Sequence, residues 1–252
     1  MTPNPPPRID AFVEGATEVA VIRTLADREL LTRPTFRTGD KGQAVGKEAV
    51  LNELKLRIAE WAKLPAAARS PLRIVVVLDQ DDATLSSISD SLRGALRAAG
   101  LGSAELEPLP GHERALVLQP SLAPLSLSLH IAGSPAVCDF FPALSRRSID
   151  DDVLRLAMDP ATAEAMLAER HESRRVLGTE RLLAKVKTEL PALLAQNGLA
   201  PFVFAKDHIR FYAAVLGIST SPAAFAQTVV KHARQEALAS TCAPLLAAFA
   251  AV

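Results

Sequence analysis

The stretch IVVVLDQDD, residues 74–82, consists of five consecutive apolar residues followed by three carboxylates within four positions. A short β-branched run of this kind is typical of a strand buried on both faces of a parallel sheet. It therefore predicts a strand over residues 72–78 that delivers Asp79 and Asp81 to one edge of that sheet. In open α/β sheets ligands bind at the carboxyl edge of the strands, which makes this edge the first candidate for a site.

A second acidic cluster follows an earlier strand-like run. Residues 9–18 read IDAFVEGATE, which predicts a strand over 9–13 and a helix over about 16–30. Between them stand Glu14 and Gly15, and the glycine allows a sharp turn beside a ligand. We expect strands 9–13 and 72–78 to be parallel neighbours, because only then do the two acidic clusters converge.

Carboxylates that converge from two strand ends repel one another unless a cation lies among them. Oxygen ligands of this kind suit a hard divalent cation, so the sequence predicts Mg²⁺ (or Mn²⁺) bound by Glu14, Asp79 and Asp81. Glu18 is a further candidate ligand, directly or through water; the alternative is that it stabilises the start of its helix. Asp82 is interpreted as the cap of a helix that begins near Thr84.

The chain divides into three regions by pattern. Residues 1–8 are a Pro-rich lead with little reason to order, residues 9–145 alternate strands and helices, and residues 146–252 are helical. This order predicts an α/β fold with a mainly parallel sheet flanked by helices and a helical C-terminal region packed on it. The remaining predicted elements are a strand at 35–39, a turn at 39–43, helices at 46–64 and 84–98, strands at 115–119 and 126–131, and helices at 148–158, 161–170, 179–196, 206–216 and 223–250.

Composition narrows the classes of function. The chain has 252 residues, and its 28 basic and 28 acidic residues cancel, which argues against a strongly basic, non-specific nucleic-acid binder. There is no signal peptide and no apolar run of the roughly 18–20 residues that span a bilayer. Cys138 and Cys242 have neither metal-site nor disulfide spacing. We therefore expect a cytoplasmic protein without membrane association, for which a homodimer or a protein partner remains open.

The two acidic motifs together resemble a known domain. VEG-x-TE at residues 13–18, followed by a hydrophobic strand that ends in D-x-DD at residues 79–82, resembles a Toprim (topoisomerase–primase) domain. The chain is most similar in this respect to old-lysogenization-defect type nucleases and their small stand-alone bacterial relatives. The resemblance covers the first half of the chain. It implies a compact α/β domain in which Glu14, Asp79 and Asp81 bind Mg²⁺ for phosphodiester chemistry on DNA or RNA.

The resemblance also implies a catalytic lysine downstream. Lys206, in the segment FAKDHIRF at residues 204–211, is the candidate for a fixed charge on the phosphate oxygens. Lys185 and Lys187 compete for that role, and a solvated Lys206 beside a capping Asp207 is the bland alternative. Residues 150–152, three consecutive aspartates at a predicted helix start, are interpreted as acids that favour the helix N-terminus, with a second-metal or orienting acid near the sheet edge as the alternative.

Three functional hypotheses follow. The first is a metal-dependent Toprim-type nuclease, in a setting of phage or mobile-element defence that only the resemblance suggests. The second is a Toprim-like module that binds metal, nucleic acid or protein without turnover. The third, and weakest, is a haloacid-dehalogenase-like phosphatase, with Asp79 as the nucleophile and Asp81 as the acid/base. Ala83 departs from the Thr or Val that this family places two residues after its second aspartate.

Overall fold

A six-stranded sheet forms the centre of the molecule. The computed structural model describes residues 8–39, 46–101, 105–119 and 124–252, so residues 1–7 of the predicted lead and residues 40–43 of the predicted turn lie outside these ranges. In the order β2-β1-β3-β6-β5-β4, the strands are β1 Ile9–Val13, β2 Thr35–Phe36, β3 Leu72–Asp79, β4 Glu105–Leu109, β5 His112–Gln119 and β6 Leu125–Ala132. The first four in spatial order are parallel, whereas β5 is antiparallel to β6 and β4 antiparallel to β5.

The expected pairing of the two acidic strands is confirmed. Strands β1 and β3 are parallel neighbours, in a register that runs from Ile9 opposite Arg73 to Val13 opposite Val77. Strand β6 lies on the other side of β3, with Ala132 opposite Asp79. Residues that follow β1, β3 and β6 therefore meet at one edge of the sheet.

Helices cover both faces of the sheet. They are α1 Ala16–Asp27, α2 Gly46–Lys63, α3 Leu85–Ala98, α4 Ile149–Ala157, α5 Pro160–Ala168, α6 Glu172–Arg175, α7 Thr179–Ala184, α8 Leu190–Gln196, α9 Ala205–Leu216, α10 Pro222–His232, α11 Gln235–Thr241 and α12 Ala243–Ala250. A π-helical segment, Lys185–Glu189, joins α7 to α8, and short 3₁₀ turns lie at Ala66–Ala68 and Pro135–Asp139. The fold is thus the predicted α/β architecture with a helical C-terminal region.

Side-chain alternation along β3 assigns each group of helices to a face. Ile74, Val76 and Leu78 belong to the buried cluster that includes α2 and α3. Val75 and Val77 belong to the other cluster, which includes α1 and the helices of the second half. Because successive side chains of a strand point to opposite faces, Asp79 lies on the face that carries the C-terminal helices.

The C-terminal helices share their core with the sheet. The Ser128 hydroxyl in β6 donates to the carbonyl of Ala248 in α12 at 2.7 Å, and both groups are buried. The Tyr212 hydroxyl in α9 donates to the carbonyl of Ala157 at the end of α4, at 2.8 Å. These contacts fix the helices that complete the acidic edge.

The structure differs from the sequence-based expectation in several elements. Strand β2 ends at Phe36 rather than at residue 39, α6 was not predicted, and the helix expected over 179–196 contains the π-helical segment Lys185–Glu189. Strand β4 was not predicted; its sequence ELEPL pairs along one side with β5 and forms the edge of the sheet, where Pro is tolerated because the missing N–H faces outwards. The single helix expected over 223–250 is three helices. Ala233 and Arg234 adopt extended backbone between α10 and α11, and Pro244 starts α12 because it cannot donate an internal helical hydrogen bond.

Candidate metal and phosphate site

Glu14 and Glu18 bracket the turn between β1 and α1. Glu14 follows the last residue of β1, and Gly15 is the N-cap of α1. Glu18 lies in the first turn of α1 and is buried, with 4% of its surface exposed. A Cβ at Gly15 would stand 3.3 Å from Glu18 Oε2. The glycine therefore leaves room for the carboxylate of Glu18 beside the turn.

Asp79 links three segments at the sheet edge. Its backbone N–H donates to Glu14 Oε1 at 2.8 Å. Its own Oδ1 accepts from the backbone N–H of Ile149, the first residue of α4, at 2.9 Å. The end of β3 is thus tied to the end of β1 on one side and to the start of α4 on the other.

A glycine brings α4 close to this edge. Gly133, which follows β6, has a φ of 112°, and a Cβ at this position would stand 2.5 Å from Arg147 Cβ and 2.9 Å from Ser148 N. The chain at Arg147 also pairs with Asp81, whose N–H donates to the Arg147 carbonyl at 2.7 Å. This close approach places the first turn of α4, with Asp150, beside Asp79.

The sequence left open whether Asp150 belongs to the site or only stabilises the start of its helix. Its Oδ1 is buried and has no hydrogen-bond partner among the described residues. The charges of Lys206 and Arg210 and a hydrogen bond from Thr17 favour its ionised form, yet burial raises its pKa to about 6. The alternative that assigned an orienting acid to residues 150–152 is therefore the one that fits Asp150.

Burial raises the pKa values of all four acids at this edge, and mutual repulsion adds to the shift at two of them, Glu18 and Asp79. Burial is the main cause at each position: it raises the pKa of Glu18 to about 7, that of Asp79 well above its usual value, and that of Glu14. The negative charges of Glu14 and Asp150 add to the shift at both Glu18 and Asp79. We call Glu14, Glu18, Asp79 and Asp150 the carboxylate cluster.

Asp81 lies at the rim of this site rather than within the cluster. We expected the strand to deliver Asp79 and Asp81 together to the sheet edge; instead β3 ends at Asp79, and Asp81 adopts a left-handed backbone with φ of 52°. Its side chain is exposed, and its Oδ2 lies 3.7 Å from Lys47 Nζ. Asp81 still lines the same cleft as Asp79 and Asp150.

Asp82 does not cap the helix that follows it, so that interpretation is wrong. The N-cap of α3 is Thr84, whose Oγ1 accepts from the N–H of Ser87 at 3.1 Å. Asp82 instead pairs with Arg146, with 3.1 Å between Oδ2 and Nε. The hydroxyl one residue before the helix is the better placed acceptor for its free N–H groups.

A cleft of about 120 Å³ opens beside the cluster. It is lined by Asp79, Asp81, Arg146, Ser148, Asp150, Phe204, Ala205 and Lys206. The two cations flank one ring: Lys206 Nζ lies 4.9 Å and the Arg146 guanidinium 5.0 Å from the ring centre of Phe204. Anionic and cationic side chains thus face each other across a space of a few water molecules.

Lys206 is better placed than the competing lysines. Lys185 pairs with Glu189 at 3.0 Å, and Lys187 lies over the ring of Phe140. Neither lines the cleft. Asp207 pairs with Arg210 at 2.9 Å, and no side chain caps the start of α9. The alternative of a solvated lysine beside a capping Asp207 is therefore wrong about the cap, whereas Lys206 is exposed as that alternative expects.

The other two aspartates of the acidic helix start lie behind the site. Asp151 Oδ2 accepts from the N–H of Ser148 at 3.4 Å, which agrees with a role at the helix N-terminus. Asp152 is 7% exposed, and burial raises the pKa values of Asp151 and Asp152 to about 7 and about 8. Neither lines the cleft.

The donor set at the cleft consists of carboxylate oxygens, which suit Mg²⁺ or Mn²⁺ better than softer metals. Asp150 Oδ1, buried and without a partner among the described residues, is the oxygen that such an ion would satisfy. In the described ranges, no group of three or more His, Cys, Asp or Glu side chains is arranged to hold an ion as it stands.

No family model matches the chain, and no curated protein or solved structure is significantly similar to it. In the part of the chain that is described, none of the helices combines the length and the apolar character needed to cross a membrane.

Proposed function

We propose that this protein is a Mg²⁺- or Mn²⁺-dependent enzyme of the Toprim type that cleaves phosphodiester bonds in nucleic acid. The observation that carries the proposal is a cluster of four carboxylates at the carboxyl edge of the sheet, two of which, Asp79 and Asp150, line a cleft that Lys206 and Arg146 also line. Acids of this kind at the carboxyl edge of a parallel sheet, facing cations, fit a metal ion and a phosphate together.

The cluster would hold the ion through Glu14, Glu18, Asp79 and Asp150, with Asp81 at the rim. Burial raises the pKa values of the four cluster acids, and repulsion within the cluster adds to the shift at Glu18 and Asp79, so the ionised cluster is destabilised in the metal-free protein. A divalent cation would reverse that penalty. Its chemistry would be polarisation of a phosphoryl oxygen and a lowered pKa of bound water.

The cationic wall would bind and orient the phosphate. Lys206 is exposed and carries its ammonium over Phe204, where it can approach phosphate oxygens and offset negative charge in the transition state. Arg146 can donate two parallel hydrogen bonds, at the cost of its exposed pair with Asp82. Phe204 between them offers an apolar surface to a sugar or base.

The substrate would be recognised locally. The net charge of the whole chain is zero, so attraction for nucleic acid must come from the cations near the cleft: Lys47, Arg146, Lys206 and Arg210. A cytoplasmic location is part of the proposal and agrees with two free cysteines. A role in phage or mobile-element defence rests on the Toprim resemblance alone.

The proposal is tested by cleavage of single- and double-stranded DNA and RNA. The purified protein should cut with Mg²⁺ or Mn²⁺ and not with EDTA. Glu14→Ala and Asp79→Ala should each abolish cutting, whereas Asp90→Ala, at an exposed aspartate on α3 that pairs with Arg93, should leave the rate unchanged.

Other outcomes of this experiment would favour one of the two alternative functions, the binding module or the phosphatase. Ion binding without cleavage of any of the four substrates would favour the non-catalytic binding module, which the neutral net charge also suits. Covalent phosphorylation of Asp79 by a phosphate ester would instead establish the phosphatase. That reading needs Asp81 as a neighbouring acid/base, and the exposed Asp81 turns towards Lys47.

A further inference from the structure

A second cavity lies behind the acidic edge. It has a volume of about 490 Å³ and is bounded by the end of α4, the start of α5, α7 with its π-helical segment, and α11. Its apolar wall includes Phe140, Leu156, Met158 and Leu183. This volume falls in the range of cavities that hold small organic ligands, about 300–1,000 Å³.

Two cations line this cavity without an ion-pair partner. Arg155 reaches it from α4 and Lys187 from the π-helical segment, and neither forms a salt bridge among the described residues. Lys187 Nζ lies 5.1 Å from the ring centre of Phe140, a contact that holds the ammonium over an apolar wall. Nearby, Asp152 experiences the charge of Arg155 but is not part of the lining.

The one carboxylate in the lining is already engaged. Asp159 is the N-cap of α5, and its Oδ2 accepts from both the N–H and the hydroxyl of Thr162 at 2.9 Å. The lining therefore carries an excess of positive charge beside apolar side chains. That combination matches a ligand with an anionic head and an apolar body.

Local backbone geometry brings the lysine into the cavity wall. Residues Lys185–Glu189 form a π-helical turn, a rare conformation that is frequent at functional sites. Within it Lys185 pairs with Glu189 and does not line the cavity, whereas Lys187 does. The two lysines, two residues apart, thus provide a matched pair for a test.

We propose that this cavity is a binding site for a small organic phosphate, whose phosphate lies between Arg155 and Lys187 and whose apolar body packs on Leu156, Met158 and Leu183. The planar Arg155 guanidinium can donate two hydrogen bonds to a phosphate, and Lys187 adds a second positive charge. Thr241, also in the lining, supplies a hydroxyl donor, whereas the Ser240 hydroxyl already donates to the carbonyl of Ala237 at 3.2 Å.

This site is distinct from the acidic cleft and does not depend on the proposed catalysis. Asp150 and Arg155 are both on α4 but five residues apart, which separates them by about 7 Å along the axis and about 140° around it. The cleft and the cavity therefore lie on different sides of the same helix and share no lining residue.

The test is calorimetric titration of the full chain with 1-naphthyl phosphate in EDTA. The protein carries Asp79→Asn, so that neither metal-dependent binding nor turnover at the cleft contributes. We expect saturable binding of one equivalent, at least tenfold tighter than that of 1-naphthol or inorganic phosphate alone. Lys187→Met should weaken binding at least tenfold, and Lys185→Met should leave it unchanged.

A variant that fills the cavity distinguishes binding inside it from general electrostatic attraction of an anion to the protein surface. Ala184→Leu keeps both cations and adds volume to the lining, so it should abolish binding while the melting temperature stays within a few degrees. Absence of binding in the wild-type cavity, or equal losses in Lys185→Met and Lys187→Met, would overturn the proposal. Neither result would affect the cleavage experiments.

Discussion

At the scale of single residues, the candidate site is defined by which carboxylate oxygens are engaged and which are not. Glu14 Oε1 and Asp79 Oδ1 accept backbone hydrogen bonds, whereas Asp150 Oδ1 is buried without a partner among the described residues. Glu18 lies buried beside them. The result is negative charge held by backbone geometry where water cannot fully solvate it.

Variants of Lys206 and Lys185 should distinguish stabilisation of negative charge in the transition state from a role in metal binding. Lys206→Ala should slow metal-dependent cleavage by about 10²–10³-fold, because it removes a positive charge that faces the phosphate. Metal affinity should stay nearly unchanged. Lys185→Ala, at a lysine paired with Glu189 away from the cleft, is the control. Cleavage rates at saturating Mn²⁺, with Mn²⁺ titrations in parallel, measure both effects; equal rates for the two variants would remove Lys206 from the mechanism.

Metal binding should depend on pH in a defined direction. The native pKa values of Glu18 and Asp150, about 7 and about 6, exceed the unfolded values of about 4. Their contribution to metal-free stability is therefore full below about pH 4 and is lost as the pH rises to about 7. Mg²⁺ binds the ionised form, so the Mg²⁺-induced rise in melting temperature should grow from pH 5 to pH 8.

The measurement for this linkage is thermal unfolding with EDTA and with Mg²⁺ at each pH. Glu18→Gln should flatten the pH dependence and reduce the Mg²⁺ effect, whereas Glu189→Gln, an exposed acid on the π-helical segment, should do neither. A Mg²⁺ shift that is equal at pH 5 and pH 8 would contradict the assignment.

At the scale of elements, the site depends on how closely the start of α4 approaches the end of β6. Gly133 permits that approach, because its φ of 112° and the 2.5 Å contact that a Cβ would make with Arg147 both exclude a larger residue. The sequence marks Gly133 only as one glycine among 12. This is why Asp150 could not be placed from sequence: its proximity to Asp79 is a long-range contact that no local pattern encodes.

Gly133→Ala tests this dependence. It should lower the free energy of unfolding by about 1–3 kcal/mol or more and weaken Mn²⁺ binding, since α4 must move away from β3. Gly111→Ala is the matched control, because Gly111 also has a positive φ, 76°, but nothing lies within 4 Å of an added Cβ. Denaturant unfolding and Mn²⁺ titration should show that only Gly133→Ala affects the metal. An equal loss of Mn²⁺ affinity in both would refute the steric argument.

The finding that Thr84 rather than Asp82 is the N-cap of α3 can be tested separately. Thr84→Ala should destabilise the protein by about 1 kcal/mol, because it removes the acceptor for the Ser87 N–H. Asp82→Ala should cost much less, since Asp82 makes only an exposed ion pair with Arg146. Urea unfolding of the two variants is the measurement, and a larger loss for Asp82→Ala would restore the sequence-based interpretation.

At the scale of the whole molecule, the sequence predicted the central strands better than the sheet's edge strand and the helices that pack on it. The strand-like runs at residues 9–13 and 74–78 predicted β1 and β3, and the edge that the two strands share followed from their parallel pairing. Strand β4, in which Glu105, Glu107 and Pro108 are exposed and Leu106 alone is buried, carried no such signal. The breaks in the C-terminal helices depend partly on tertiary contacts, such as the Arg28 guanidinium that donates to the carbonyls of Val230 and Ala233.

The C-terminal region should be required for folding of the sheet. Val75 and Val77 pack in the same buried cluster as Tyr212 and Phe225, so removal of residues 146–252 would strip most of the helices from this face of β1 and β3 and leave α1 in place. We expect the fragment 1–145 to lack a cooperative thermal transition by circular dichroism, whereas the full chain melts in one step. A fragment with a sharp native-like transition would show instead that the sheet is an independent domain.

The most direct test of the central claim is anomalous diffraction from crystals soaked in Mn²⁺. The carboxylate cluster predicts a Mn²⁺ peak at the carboxyl edge of β1 and β3, with oxygens of Asp79 and at least one of Glu14, Glu18 and Asp150 within about 2.0–2.6 Å of it. Asp79→Asn crystals soaked in the same way should lose the peak. A saturating soak that leaves this edge without anomalous density, or that places Mn²⁺ only at other carboxylates, would contradict the account.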